Sequence, residues 1–292
     1  MTRSAAKLLA KIVLLCLVFA SAARGAETEE ATRVRILLVI HTNGETVGKE
    51  CGFALDGQTM QRTLAENLKK QNLQDRYTLD VLSGDDVTAA AVLSYYRKLK
   101  TGPTEALVFF YSGHGILNSN HEHVMTMNGR ALRRTEVLTA MARHDPRLMV
   151  VLSSSCANLQ GEDAKNDPAK LPAERRTRTA APTAVRAGDG SVLRQLFFQQ
   201  QGVVDINAAR VAEYGWGHPD HGGTFFTVAL TQLMGGEVSR FDRNKDGLVE
   251  WHEFYTSLRA HTAQLAGSFG NEQNTMVYSI PSPLRTAVAA NR

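Results

Sequence analysis

Apolar and polar positions follow two different periods along the chain. Short and almost continuously apolar runs are typical of strands buried on both faces of a parallel sheet, whereas apolar residues at helical spacing predict amphipathic helices. The predicted strands cover residues 33–40, 77–82, 105–111, 148–152 and 203–207. The predicted helices cover residues 56–71, 86–100, 135–143 and 224–234. Because strands and helices alternate, the pattern predicts an α/β fold with a mostly parallel sheet and helices on both faces.

One long segment, residues 157–191, fits neither period. It is rich in proline and glycine and carries basic residues at Arg175, Arg176 and Arg178. No core-building pattern has such a composition, so the segment is predicted to form a long exposed loop. Its basic residues and its place directly after Cys156 suit a processing segment, and a passive insertion is the equally open alternative.

The first 26 residues are predicted to be a secretory signal. Basic residues near the start precede a nine-residue apolar run, Ile12–Ala20, and small residues follow up to Ala26. This run is shorter than the roughly 20 apolar residues that a membrane-spanning helix needs. Cleavage here predicts a secreted or periplasmic protein, with an uncleaved N-terminal anchor as the alternative.

Removal of the signal also changes the charge of the chain. Cleavage near Gly25 takes away four of the 33 basic residues and no acidic ones, which leaves 29 basic and 29 acidic residues. A neutral chain has no global attraction for nucleic acid or for an anionic membrane, so neither is expected as a partner after signal cleavage. The sequence does not determine the oligomeric state.

Two cysteines, Cys51 and Cys156, remain after signal cleavage, far fewer than a disulfide scaffold contains. They can pair in an oxidising compartment, but the surroundings of Cys156 favour a free thiol. The predicted strand 105–111 runs into His114, and the predicted strand 148–152 runs into Cys156. Carboxyl ends of parallel strands meet at one edge of a sheet, so both side chains are expected at the same edge.

An imidazole beside a thiol activates the thiol for acyl transfer, and glycines on both sides of the histidine leave backbone N–H groups accessible to an oxyanion. Taken singly, a cysteine after an apolar strand is usually a buried inert residue, and a histidine in a glycine-rich turn is usually structural. Their joint placement, with Cys156 following His114 by 42 residues, is what favours a catalytic pair.

Three stretches of the chain resemble the caspase and metacaspase family. They are Phe-Phe-Tyr-Ser-Gly-His-Gly (109–115), Val-Val-Leu-Ser-Ser-Ser-Cys-Ala-Asn (150–158) and Gly-Gly-Thr-Phe-Phe-Thr-Val-Ala-Leu (222–230). The resemblance covers residues 33–235 and implies a three-layer αβα sandwich that hydrolyses peptide bonds in a protein or peptide substrate. It also implies that His114 is the general acid and base, that Cys156 is the nucleophile, and that the N–H groups of Gly115 and Cys156 form the oxyanion hole. The implied chemical step needs no metal.

The chain departs from the family at Ser154, because metacaspases usually carry an aspartate two residues before the nucleophile, where it holds a basic substrate side chain. Asp56 lies where the family places a second acid of this pocket, or alternatively it caps the first helix. Trp216 is a candidate apolar contact for substrate in a loop that also holds His218 and His221. That loop either forms a wall of the cleft or is only a connection.

Residues 242–253 match the twelve-residue EF-hand loop and predict a single calcium site. The predicted ligands are the side chains of Asp242, Asn244, Asp246, Glu250 and Glu253 and the backbone carbonyl of Leu248. Gly247 permits the sharp turn, and Val249 is expected to point inward, where paired hands contact each other. A chance acidic turn is the alternative. An unpaired hand predicts a dissociation constant on the order of 10⁻⁴–10⁻³ M.

The calcium segment is predicted to span residues 236–265, with a helix after the loop, and residues 266–292 are predicted to be a C-terminal tail. His121 and His123 lack a third ligand at metal-binding spacing and are predicted to be exposed loop residues. Three functions fit the sequence. The leading one is a cysteine endopeptidase, and the alternatives are a catalytically silent caspase-like module that binds a peptide and a calcium-binding scaffold.

Overall fold

Five of the strands form consecutive parallel members of one sheet, as the apolar runs predict. The computed structural model describes residues 30–42, 52–159 and 188–281. Its strands are β1 (Arg33–Ile40), β2 (Tyr77–Ser83), β3 (Glu105–Ser112), β4 (Gly115–Leu117), β5 (His123–Met125), β6 (Leu132–Arg133), β7 (Leu148–Ser154), β8 (Gly202–Asn207), β9 (Gly217–His218), β10 (Gly223–Thr224) and β11 (Met276–Ser279).

The central sheet has six strands in the order β11-β8-β7-β3-β1-β2. All neighbouring pairs are parallel except β11, which lies antiparallel against β8 at one edge. The prediction of an α/β fold around a mostly parallel sheet is therefore confirmed. The predicted signal, Cys51 and residues 160–187 of the predicted loop lie outside the described residues.

Among the described residues, six α-helices accompany the sheet. They are α1 (Phe53–Lys70), α2 (Ala89–Lys98), α3 (Arg134–Ala142), α4 (Ser191–Arg194), α5 (Phe225–Met234) and α6 (Trp251–Ser268). Four of them were predicted from apolar spacing, and α6 is the helix predicted after loop 242–253. In the part of the chain that the structure describes, no helix is both long enough and apolar enough to cross a membrane.

Both faces of the sheet are covered, which explains why its central strands are continuously apolar. Along β1, Ile36 and Leu38 belong to a core that includes buried residues of α1, α5 and α6. The alternate residues Leu37 and Val39 belong to a second core, which includes buried residues of α2 and α3. A strand with helices on both sides buries every side chain, so its pattern loses the polar alternation of a one-sided sheet.

The edge strand β11 lies within residues 266–292, which the sequence predicts to be a tail. Its backbone pairs with β8, with Met276 opposite Asn207 and Val277 opposite Ile206. The strand is four residues long and largely half-exposed, so it carries too few apolar residues for a pattern to reveal it. Pairing with β8 covers an edge that lies directly beside β7, the strand that leads to Cys156.

Candidate active site

The register of β3 and β7 brings His114 and Cys156 to one edge of the sheet. The two strands are parallel neighbours, and their last paired residues are Ser112 and Ser154. His114 and Cys156 each follow their strand by two residues. Both residues are half-buried, whereas the strand residues before them are buried. His114 and Cys156 therefore lie just beyond the ends of two neighbouring strands, at the same edge of the sheet.

Tyr111 and Phe53 fix the segment that carries the histidine. The hydroxyl of Tyr111 lies 2.8 Å from the carbonyl oxygen of His114 and 2.7 Å from that of Thr126, so it can donate to either. The ring of Phe53 meets the imidazole edge-on, with the ring centres 5.1 Å apart. Burial, together with the nearby Cys156 thiol, raises the pKa of Tyr111 well above its usual range. Tyr111 therefore stays neutral and keeps its proton for the backbone.

The sulfur of Cys156 lies against the backbone of Gly215. The N–H of Gly215 donates to Sγ at 3.3 Å, and the carbonyl oxygen of Gly215 is 3.8 Å from the same sulfur. A backbone N–H directed at sulfur stabilises a thiolate more than a thiol. The segment that holds Gly215 was predicted only as a possible wall of the cleft, so this contact was not anticipated.

Gly115 lies in close contact with the nucleophile's backbone. A methyl group built on Gly115 would lie 2.8 Å from the carbonyl oxygen of Cys156 and 2.9 Å from Cβ of Ser155. Any side chain at this position would displace the backbone that carries the thiol. The backbones of Gly115 and Cys156, the predicted donors of an oxyanion hole, are thus adjacent.

His123, predicted to be exposed, is in fact buried beneath Cys156. It is 4% exposed, and its Nε2 lies 3.0 Å from the carbonyl oxygen of Cys156 and 3.3 Å from Oγ of Ser155. Burial, followed by the charge of Arg134, lowers the pKa of His123 to about 3. The neutral ring donates from Nε2 to the Cys156 carbonyl. The prediction was wrong because β5 pairs with β4 and carries His123 underneath the site.

A buried polar network supports the strand that leads to the nucleophile. Arg134 forms an ion pair with Asp205 and donates to Oγ of Ser153 and to the carbonyl oxygen of Ile206. The amide of Asn207 accepts from both Ser153 and Ser155, at 2.6 and 3.0 Å. Because the members of the network satisfy one another's hydrogen bonds, the network fixes the ends of β7 and β8 next to Cys156.

Asp56, predicted either to line the first pocket or to cap a helix, does not cap one. Helix α1 begins after Gly52, which leaves Asp56 inside its first turn. Its carboxylate is fully buried and accepts from Oγ of Ser112 at 2.5 Å and from both N and Oγ1 of Thr224 at 2.8 Å. The hydroxyl of Ser154 lies 2.6 Å from that of Thr224. Asp56 and Ser154 therefore belong to one hydroxyl-rich cluster.

This cluster depends on a close approach of two backbone segments. A methyl group built on Gly223 would lie 2.1 Å from Oδ1 of Asp56, and the φ of Gly223 is +131°. Only glycine satisfies both conditions. The sequence could not reveal the contact, because Asp56 and Thr224 are 168 residues apart.

Trp216 stands between the site and the end of α6. Its indole N–H donates to the carbonyl oxygen of Glu272, and its backbone N–H donates to Oε1 of Gln273. In the same loop, His218 stacks on Phe269, and His221 meets that ring edge-on with centres 4.4 Å apart. The loop is thus fastened to the residues that follow α6.

In the twelve-residue loop 242–253, several side-chain oxygen atoms accept hydrogen bonds from the backbone of the loop itself. Oδ1 of Asp242 and Oδ1 of Asn244 both accept from the N–H of Asp246, at 3.1 and 2.9 Å. Oδ2 of Asp242 accepts from Gly247, and Oδ1 of Asp246 accepts from Leu248, both at 2.8 Å. These oxygens therefore converge on one turn of the chain.

The two glutamates of the loop begin α6. Glu250 and Glu253 form a reciprocal capping box, in which each side chain accepts from the other's backbone N–H. Oε1 of Glu253 also accepts from the N–H of Arg243 at 2.9 Å, which returns this carboxylate to the start of the loop. Within the described ranges, no three histidine, cysteine or acidic side chains are gathered closely enough to hold a metal ion. Four of the six predicted ligands of loop 242–253 are acidic side chains, so fewer than three of these four are gathered in this structure.

Comparison with protein-family models gave no match, and a search of curated proteins gave none either.

Proposed function

We propose that the chain is a caspase-like cysteine endopeptidase in which His114 and Cys156 form the catalytic pair. The observation that carries the proposal is the pairing of β3 with β7. This register gives an imidazole and a thiol equivalent positions beyond adjacent parallel strands, which is where α/β proteins assemble their sites. The predicted secretory signal supports a secreted or periplasmic location.

In the proposed reaction the thiolate of Cys156 attacks the scissile carbonyl carbon and forms a C–S bond. The carbonyl oxygen becomes an oxyanion facing the N–H groups of Gly115 and Cys156. When this intermediate collapses the C–N bond breaks, and the imidazolium of His114 gives its proton to the departing amine. Water then adds to the thioester while His114 takes a proton from it, the C–S bond breaks, and the carboxylic acid leaves with the Cys156 thiolate and the His114 imidazolium restored.

His123 and Gly215 support this chemistry without touching the substrate. His123 fixes the carbonyl of Cys156 from below, and the N–H of Gly215 meets the sulfur from the side. Together they restrict the rotation of the nucleophile about its own backbone. Preorganisation of this kind lowers the cost of reaching the transition state.

We propose further that loop 242–253 binds one calcium ion. The donor set consists of hard oxygens, as calcium prefers, and the hydrogen bonds of the loop already bring Asp242, Asn244 and Asp246 together. Glu253 would supply a bidentate carboxylate and Leu248 its carbonyl. Glu250, which is buried in the capping box, would act through a water. A bound ion would neutralise the acidic turn at the start of α6.

A silent peptide-binding module is the second candidate, because one observation favours it. Asp56 and Ser154, which the family resemblance assigns to the first substrate pocket, are both buried and are linked through Thr224. A pocket whose Asp56 carboxylate is already engaged in this way has no free carboxylate for a basic substrate side chain. Such a site can bind a peptide without cleaving it.

Thiol alkylation separates these two functions. If the chain is a peptidase, iodoacetamide should modify Cys156 at neutral pH at least about tenfold faster than it modifies an unactivated cysteine thiol, because the imidazole of His114 activates Cys156. The variant His114→Ala should react at the slow rate, whereas His121→Ala, which changes an exposed histidine, should react like wild type. Equal slow rates in all three proteins would refute the catalytic assignment and leave the binding module.

A further inference from the structure

The carboxamide of Gln195 forms two hydrogen bonds with the backbone of the proposed calcium loop. Its Nε2 donates to the carbonyl oxygen of Gly247 at 3.2 Å, and its Oε1 accepts from the N–H of Val249 at 2.6 Å. The two hydrogen bonds lie on either side of Leu248, whose carbonyl is the predicted backbone ligand. One side chain therefore spans the part of the loop between the fifth and the ninth position.

The residues next to Gln195 pack in the core and so hold Gln195 in place. The indole N–H of Trp251 donates to the carbonyl oxygen of Leu196 at 3.0 Å, and the rings of Phe197 and Trp251 pack with centres 5.9 Å apart. Val249 is completely buried. Gln195 itself begins a π-helical turn that ends at Gln199. Such turns are rare and frequently occur at functional sites.

An isolated EF-hand loop leaves the backbone of its eighth position without a partner, because in paired hands that backbone bonds to the second loop. Here the amide of Gln195 bonds to the backbone on both sides of Leu248, as the N–H and C=O of one residue in a neighbouring parallel strand would. A loop already held in shape loses less conformational freedom when an ion binds, and this raises the affinity.

We infer that Gln195 is a positioning residue of the calcium site and bonds to the loop backbone where a paired hand would. The inference rests on the calcium site of the proposed function and adds a residue outside the motif, 47 positions before its first ligand. Gln195 does not touch the ion. It fixes the backbone on both sides of Leu248 and so directs that carbonyl towards the ion.

The test is a calcium titration of the full chain in three proteins, which are wild type, Gln195→Met and Gln201→Met. The amide resonance of Gly247 reports the binding of the ion. Methionine has the length of glutamine without its hydrogen bonds. Loss of both bonds should weaken binding about tenfold. The control changes an exposed glutamine and should bind like wild type. Gln195→Asn is a second variant, because its shorter amide cannot reach both backbone atoms and should show the same loss.

Hydrogen exchange of the Val249 amide in calcium-free protein provides a readout that is independent of binding. The amide should be protected in wild type and should exchange at least about tenfold faster in Gln195→Met. An affinity within twofold of wild type in both Gln195 variants, or unchanged Val249 exchange, would overturn the inference alone. If the wild-type protein itself showed no response to calcium, that result would contradict the calcium site of the proposed function.

Discussion

At the scale of single residues, Asp56 is the clearest case of a group whose charge depends on its surroundings. Burial raises the pKa of Asp56 to about 7, although the hydrogen bonds from Ser112 and Thr224 act in the opposite direction. The native state therefore holds a proton that the unfolded chain, with an ordinary aspartate pKa of 3.8, releases. This difference opposes folding increasingly as the pH rises from about 4 to about 7.

We therefore expect Asp56→Asn to remove a pH dependence. The free energy of unfolding of wild type, relative to the variant, should fall by up to about 1.4 kcal/mol per pH unit between pH 4 and pH 7. Urea unfolding of both proteins at several pH values measures the difference. His123, whose pKa is lowered, contributes with the opposite sign in both proteins and cancels in the comparison. A difference that stays constant from pH 4 to pH 8 would show that Asp56 is ionised throughout.

Ser154 determines the substrate preference that we expect. A guanidinium buried without a partner costs roughly 3–5 kcal/mol, and the hydroxyl of Ser154 is already 2.6 Å from that of Thr224. Cleavage after small or polar residues should therefore exceed cleavage after arginine. Ser154→Asp should shift the preference towards arginine, and the neutral variant Ser154→Asn should not.

Kinetics with matched peptide substrates check this preference. Efficient cleavage after arginine by the wild-type protein, unchanged by Asp56→Ala, would contradict the argument about the pocket.

At the scale of elements, α6 joins the proposed calcium loop to the wall of the candidate site. Its first turn contains Glu253, which reaches back to the start of the loop. Beyond its last turn, Phe269 packs against His221, and Gln273 holds the backbone of Trp216. The helix is 18 residues long, so at 1.5 Å per residue it spans roughly 27 Å between these two contacts.

Calcium should therefore stabilise the fold through the first turn of α6. At a concentration ten times the dissociation constant, binding should add about 1.4 kcal/mol to the free energy of unfolding and raise Tm by roughly 3–5 °C. Glu253→Gln should lose most of this gain, whereas Glu66→Gln, which changes an exposed acid of α1, should retain it. Thermal unfolding with and without millimolar calcium measures the effect. A Tm of wild type that calcium leaves unchanged would mean that the loop binds no ion.

At the scale of the whole molecule, the sequence predicted the interior of the fold better than its edge. Strands β1, β3 and β7 were evident because helices cover both of their faces, which makes their middle residues continuously apolar. The edge strand β11 was missed, since a short strand with one partner has no comparable pattern.

The candidate site divides in the same way. The place of His114 and Cys156 at one sheet edge was predictable because both residues closely follow buried strands. The burial of His123 and the bonds of Asp56 to Thr224 depend on contacts between distant segments, which no local pattern records.

Hydrolysis of a peptide library by the full chain and its variants tests the central claim most directly. Wild type should cleave, and Cys156→Ala and His114→Ala should each lose at least about a thousandfold in kcat/KM while unfolding like wild type. Because nucleophile and base act as one unit, the double variant should be no slower than either single variant. Cleavage at the wild-type rate by either single variant, or no cleavage by the wild-type protein, would contradict the assignment of His114 and Cys156 as a peptidase pair.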